Sequence, residues 1–114
     1  MSRSIATLEE QRLALQVALD GQKTRAERNR LGQFATPTAL AVDILSYADE
    51  LLPKDAPVQF LDPAIGTGAF YAALLSVLPT QRISEAVGFE IDAHYRQPAS
   101  ELWKDSGLII KLAD

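Results

Sequence analysis

The stretch from Val58 to Leu78 constrains the fold more than any other part of the chain. Val58-Gln59-Phe60-Leu61-Asp62 is a short apolar run that reads as a buried strand. Pro63-Ala64-Ile65-Gly66-Thr67-Gly68 follows at once as a tight, glycine-containing turn. Ala69 to Leu78 is then apolar nearly all round and is closed by Pro79, the pattern of a buried helix. A strand that feeds a helix through such a turn opens a βαβ unit. The pattern continues downstream. Residues 86–91 read as a second strand and residues 108–112 as a third, and residues 93–106 form a crossover. Pro98 is uncomfortable inside a helix, which puts a helix start there. Strands alternating with helices predict an α/β fold with a parallel sheet, here three strands, or half of a doubly wound sheet.

Upstream of this unit the chain reads as helical. Thr7 and Glu10 have capping-box spacing, and Leu8, Leu13, Leu15, Val17 and Leu19 follow, with Gly21 as a stop. Residues 22–30 are polar and basic, and suit either a second helix or a mobile arm. Thr36-Pro37 suits a helix N-cap with proline in the first turn. Leu40, Ala41, Ile44, Leu45, Ala48, Leu51 and Leu52 then recur at threes and fours up to Pro53. The reading is of two parts: a helical N-terminal extension over residues 1–30, and a ligand-binding portion over residues 31–114.

Charge and composition narrow the chemistry. The net charge is −4, but residues 1–30 carry six basic and four acidic groups, a net of +2, and the rest carries −6. An acidic body is a poor general surface for DNA phosphates, which are held by lysine and arginine. There is no cysteine and one histidine, His94, so thiolate and histidine metal sites are not expected. No apolar stretch approaches ~18 residues and none resembles a signal peptide. The chain is expected in the cytoplasm, with no membrane partner. His94 reads as an exposed crossover residue, Leu102 and Trp103 as core, and Lys23–Arg30 as a solvated face.

Three features converge where a nucleoside-binding half-domain needs them. The first is the turn with Gly66 and Gly68, where the backbone can bend and a ligand can approach. The second is Glu90, 22 residues after Gly68 at the end of the second strand, where a carboxylate can accept from both ribose hydroxyls. The third is Asp114, at the end of the third strand, where a carboxylate can accept from an exocyclic amine. Ligands of open parallel sheets bind at the carboxyl ends of strands. Gly66-Thr67-Gly68-Ala69-Phe70-Tyr71 lacks the third glycine of a dinucleotide fingerprint, and no Gly-Lys-Ser/Thr phosphate loop is present. Asp62 before the turn would repel a phosphate and suits a ligand carrying a positive amine.

At this point a resemblance becomes specific. Gly32-Gln33-Phe34-Ala35-Thr36-Pro37 resembles the N-terminal cofactor motif of S-adenosylmethionine-dependent adenine-N6 DNA methyltransferases, of the restriction-modification kind, in which that motif precedes the glycine loop. Phe60–Phe70 resembles their glycine loop, Gly88-Phe89-Glu90-Ile91-Asp92 their acidic ribose motif, and Leu112-Ala113-Asp114 their adenine-contacting motif. The resemblance spans residues 31–114. It implies half of a Rossmann-like class I methyltransferase sheet with S-adenosylmethionine as cofactor. By it, Phe34, Thr36 and Pro37 line the methionine end. Asp62, Ala64, Gly66 and Gly68 belong to the loop that holds the amino acid moiety. Glu90 binds the ribose, Ile91 packs on the adenine, and Asp114 accepts from the adenine amine.

One departure is as informative. Family members carry an Asn/Asp/Ser-Pro-Pro-Tyr/Phe motif that holds the flipped-out target base. The six prolines here, at 37, 53, 57, 63, 79 and 98, are never adjacent. No catalytic residue is therefore expected in this chain, and duplex DNA is expected as partner only of a full-length enzyme. The chain reads as truncated or split, inactive alone, and prone to pair with a missing half or with itself along the exposed edge of Val58–Asp62. A non-catalytic remnant or partner-binding subunit is the alternative. A nucleotide-dependent oxidoreductase half-domain is disfavoured by the missing glycine.

Overall fold

The computed structural model describes residues 3–112, with Leu31 described by its backbone alone. Ala113 and Asp114 lie outside the described residues. Among the described residues there are five α-helices, a short 3-10 turn (Thr80–Arg82) and three strands: α1 (Ile5–Gly21), α2 (Arg25–Leu31), α3 (Thr38–Leu51), β1 (Val58–Asp62), α4 (Ala69–Val77), β2 (Ile83–Phe89), α5 (Ala93–Leu102) and β3 (Leu108–Lys111). The strands form one all-parallel sheet in the order β1-β2-β3, an α/β arrangement. No described helix is long and apolar enough to cross a membrane.

Local chemistry accounts for most boundaries. α1 begins at Ser4, whose hydroxyl accepts from the Thr7 amide at 3.1 Å, one turn earlier than the Thr7-Glu10 pattern predicts. The earlier start brings Ile5 and Leu8 onto the core, and that burial favours the longer helix. Residues 22–30 resolve in favour of a helix. Thr24 and Glu27 form a reciprocal capping box that opens α2, and left-handed Gly32 closes it. Pro37, not Thr36, is the N-cap of α3, with φ −56° and ψ 143°. β2 starts three residues before the predicted Ala86, because Ile83 pairs with Val58 and packs on the core. It ends before Ile91, and the Glu90 amide still donates across the sheet to the Lys111 carbonyl at 3.0 Å.

Pro98 is a correction. It lies inside α5 rather than at its start. Asp92 caps the helix, accepting from the His94 amide at 2.9 Å. Proline costs one helical hydrogen bond, the one His94's carbonyl would have accepted. Burial of Tyr95 and Ala99 on either side of Pro98 offsets that loss. His94 is not exposed either: its Nε2 lies 2.8 Å from the Leu19 carbonyl oxygen, joining α5 to α1.

The core lies between the sheet and the helices. Val58, Phe60, Ala86, Leu108 and Ile110 face the helical layer and meet Leu8, Tyr71, Leu74 and Trp103. Trp103, 1% exposed, is its largest member and meets Tyr71 edge-to-face at 5.1 Å. Leu8 comes from α1, so the N-terminal helix shares this core with the glycine turn and α4. The opposite face of the sheet is different. Leu61, Val87 and Ile109 are in register across all three strands, and Leu61 is 66% and Ile109 54% exposed. Parallel sheets are ordinarily covered on both faces. This one, among the described residues, is covered on one.

Trp103→Ala is expected to cost about 3–5 kcal/mol, the usual penalty for emptying a large aromatic site. That is comparable with the whole stability of many small domains. Urea denaturation followed by circular dichroism checks it, and a midpoint shift equivalent to under ~1 kcal/mol would place Trp103 outside the cooperative core.

Candidate cofactor site

The turn after β1 is held at every step. Asp62 accepts from the Ala64 amide at 3.0 Å and so bends the chain as it leaves the sheet. The Ile65 amide donates to the Phe89 carbonyl at 2.9 Å. The Gly66 amide donates to Glu90 Oε1 at 2.9 Å. The Thr67 carbonyl accepts from the Trp103 indole at 2.8 Å. Two glycines make the close packing possible. A Cβ on Gly68, whose φ is +98°, would stand 2.5 Å from the Trp103 indole nitrogen. A Cβ on Gly88 would stand 2.8 Å from the Ile65 side chain. Gly68 is thus a packing residue, and its missing side chain makes room for Trp103.

Glu90 follows β2 and is 8% exposed. Its Oε1 accepts from Gly66 and its Oε2 from the Asp92 amide at 3.0 Å. Each oxygen has a second lone pair, so the carboxylate can also accept from two ligand hydroxyls. The neighbouring Asp92 ties down a second segment. Its Oδ2 accepts from Lys23 and, at 2.6 Å, from Gln33, while Lys23 also donates to Gln33 Oε1 at 2.8 Å. This triangle fastens the chain before α3 to the end of β2, at the cost of desolvating three polar groups. Burial pushes the Asp92 carboxyl up. Hydrogen bonds from Lys23, Gln33 and the His94 amide, with the Lys23 charge, outweigh it and hold the pKa at about 2. Arg28 lies over the Phe34 ring, 5.6 Å from its centre. The Lys23–Arg30 run is therefore only partly a solvated face, since Lys23 and Arg28 are spent on these contacts.

Together these segments wall a cleft of about 200 Å³ at the carboxyl ends of β1 and β2. Phe34, Thr36, Ala64, Gly66, Glu90 and Ile91 line it. Pro37, Asp62 and Gly68, expected at the same site, do not. Asp62 spends its side chain on the turn, Gly68 is covered by Trp103, and Pro37 opens α3. Asp114 lies outside the described residues. Phe34 and Ile91 are 57% and 59% exposed, so the mouth of the cleft is apolar. Its volume is below the roughly 300–1,000 Å³ of small-molecule sites, so it would enclose part of a cofactor-sized ligand. Among the described residues, no cluster of His, Asp or Glu could hold a metal ion.

Four polar lining residues were not expected from the sequence: Gln16, Gln33, Thr67 and Tyr95. Gln33 and Thr67 lie inside the motifs already singled out. Gln16 had one signal. Arg12, Gln16 and Asp20 recur every four residues and form a polar stripe on an otherwise mixed helix. Arg12 is 1% exposed and paired with Glu9, and it donates to the Thr67 hydroxyl at 3.2 Å. No protein-family model matches the chain.

The Asp92 network has a pH signature. The folded-state pKa lies below the ordinary 3.8, so its contribution is complete above about pH 4 and is lost as pH falls toward 2. Asp92→Asn is expected to lower the urea midpoint at pH 6 and to flatten its decline from about pH 4 downward. Equal slopes in both proteins would show that other groups carry the acid sensitivity.

Proposed function

We propose that this chain binds S-adenosylmethionine as the cofactor-binding part of an adenine-N6 DNA methyltransferase with a Rossmann-like class I sheet. One observation carries the reading. The three motif segments, Gly32–Thr36, Pro63–Thr67 and Glu90–Ile91, are far apart in sequence and wall one cleft at the carboxyl ends of parallel strands. That is where open α/β sheets bind nucleosides.

The residues present suit this cofactor. Glu90 is a buried acceptor with two free lone pairs, which matches a ribose diol and discourages a phosphate. Ile91 and Phe34 offer exposed apolar surface for an aromatic base and the carbon chain of the methionine part. When bound, the cofactor supplies a methyl group on a positive sulfur, ready for direct transfer. The chain's own part is binding and orientation. It fixes the ribose at Glu90 and holds the turn rigid, so that the ligand meets a preformed wall. The groups that would polarise the target amine and stack on the base are not among the sequence motifs here, so methyl transfer to DNA belongs to an assembly with further residues.

A second reading rests on a different observation, the row Leu61–Val87–Ile109 on the bare sheet face beside the open edge of β1. By it the chain is a subunit that pairs with another polypeptide. The two readings are compatible. Leu61→Asp with Ile109→Lys is expected to convert a self-associating chain to a monomer in analytical ultracentrifugation. A wild-type chain that is monomeric at high micromolar concentration would remove self-pairing from consideration.

The direct test is calorimetric titration with S-adenosylmethionine. Saturable binding is expected, with Glu90→Ala weakening it by about a hundredfold, since two charge-assisted hydrogen bonds are lost. A folded chain that binds nothing, or binds equally well without Glu90, would overturn the cofactor reading.

A further inference from the structure

We infer that Gln16, on the N-terminal helix, is the specificity residue for the zwitterionic amino-acid end of the ligand, and that Arg12 and Asp20 position it. This inference rests on the cofactor reading above. It departs from a view of α1 as an appendage.

The geometry is a relay along one face of α1. Arg12 donates to the Thr67 hydroxyl at 3.2 Å. Thr67 donates to Gln16 Oε1 at 2.5 Å. Gln16 Nε2 donates to Asp20 Oδ1 at 2.9 Å. Asp20 also accepts from the Tyr95 hydroxyl at 2.7 Å. The four-residue spacing of Arg12, Gln16 and Asp20 stacks them on one side of the helix. Thr67 from the turn and Tyr95 from α5 close the relay, and Gln16, Thr67 and Tyr95 all line the cleft.

The hydrogen-bond inventory of Gln16 decides its role. The amide has two donor hydrogens and two acceptor lone pairs. Thr67 uses one lone pair and Asp20 uses one hydrogen. One acceptor and one donor remain, on neighbouring atoms at the cleft wall. An α-amino acid presents an ammonium that needs an acceptor and a carboxylate that needs a donor. A neutral amide meets both without favouring either charge. Its orientation is not free: Asp20 can only accept as a carboxylate, so Nε2 must face it and Oε1 must face Thr67. Arg12 anchors the other end. Its guanidinium is 1% exposed and is neutralised by Glu9, so it acts through Thr67 and does not meet the ligand.

The test compares two ligands that share the nucleoside and sulfur. S-Adenosylmethionine has the amino-acid end, and 5′-methylthioadenosine lacks it. Gln16→Met keeps the length of the side chain and removes both polar atoms. Calorimetry is expected to show S-adenosylmethionine binding weakened about tenfold by Gln16→Met, in line with lost hydrogen bonds to charged groups. Binding of methylthioadenosine is expected to change less than about twofold, which also reports that the variant is folded. Arg12→Met paired with Glu9→Gln, which strands no charge, is expected to show the same ligand-selective loss at smaller size. Equal weakening for both ligands, or none for either, would overturn the role of Gln16 and leave the cofactor reading standing. Failure of the wild-type chain to bind either ligand would overturn both.

Discussion

The turn from Ile65 to Gly68 is anchored by four different parts of the chain, and the rest of the molecule is arranged around that. β2 holds Ile65 through the Phe89 carbonyl. Glu90 holds Gly66. Trp103, beyond α5, holds the Thr67 carbonyl, and α1 holds its hydroxyl. A turn left to itself samples many backbone states, each residue costing ~1–2 kcal/mol to order. Here that cost is met by the fold, before any ligand arrives. The arrangement also explains the chain's small residues: Gly68 admits the indole, and Gly88 admits Ile65.

The polar contacts around the turn serve arrangement more than stability. Glu9–Arg12 and Lys23–Asp92 are both mostly buried pairs, and the desolvation of such pairs consumes much of their attraction. Each belongs to a polar network that ties separate segments together. Arg12 reaches from α1 to the turn, and the Thr38 hydroxyl at the start of α3 donates to Glu9 at 3.2 Å. Lys23 and Gln33 meet Asp92 at the end of β2. Hydrogen bonds have fixed lengths and directions, so they set the angle between segments in a way that apolar contact does not. The cleft inherits its shape from these pairs.

The two faces of the sheet differ in the same spirit. The helical face is packed with Tyr71, Leu74 and Trp103 and is complete within the described residues. The far face shows a lateral apolar row that would ordinarily be covered. The cleft and the bare face are lined by different residues. The proposed ligand binding and polypeptide pairing would therefore not compete for the same residues.

Periodicity and turn chemistry were enough to make much of this legible. The apolar run at Val58, the glycine turn, the apolar helix after it and the return to a strand before Glu90 describe a parallel α/β unit, because strand and helix periods bury different sets of side chains. Motif order placed Phe34, Thr36, Ala64, Gly66, Glu90 and Ile91 beside one another, and all six line the cleft. Pattern could not say which polar groups would be spent on the fold. Asp62 turns inward to its own loop and Gly68 answers to Trp103, since both depend on what packs against them. Pro98 reads locally as a helix start, yet burial of Tyr95 and Ala99 carries α5 through it. The sequence by itself determined the alternation of strand and helix and the acidic and glycine positions at strand ends, because these follow from local spacing. Only the tertiary structure decided that α1 is a wall of the cleft. Arg12 and Gln16 reach Thr67, and Asp20 meets Tyr95, each more than fifty residues away, where no local rule reaches.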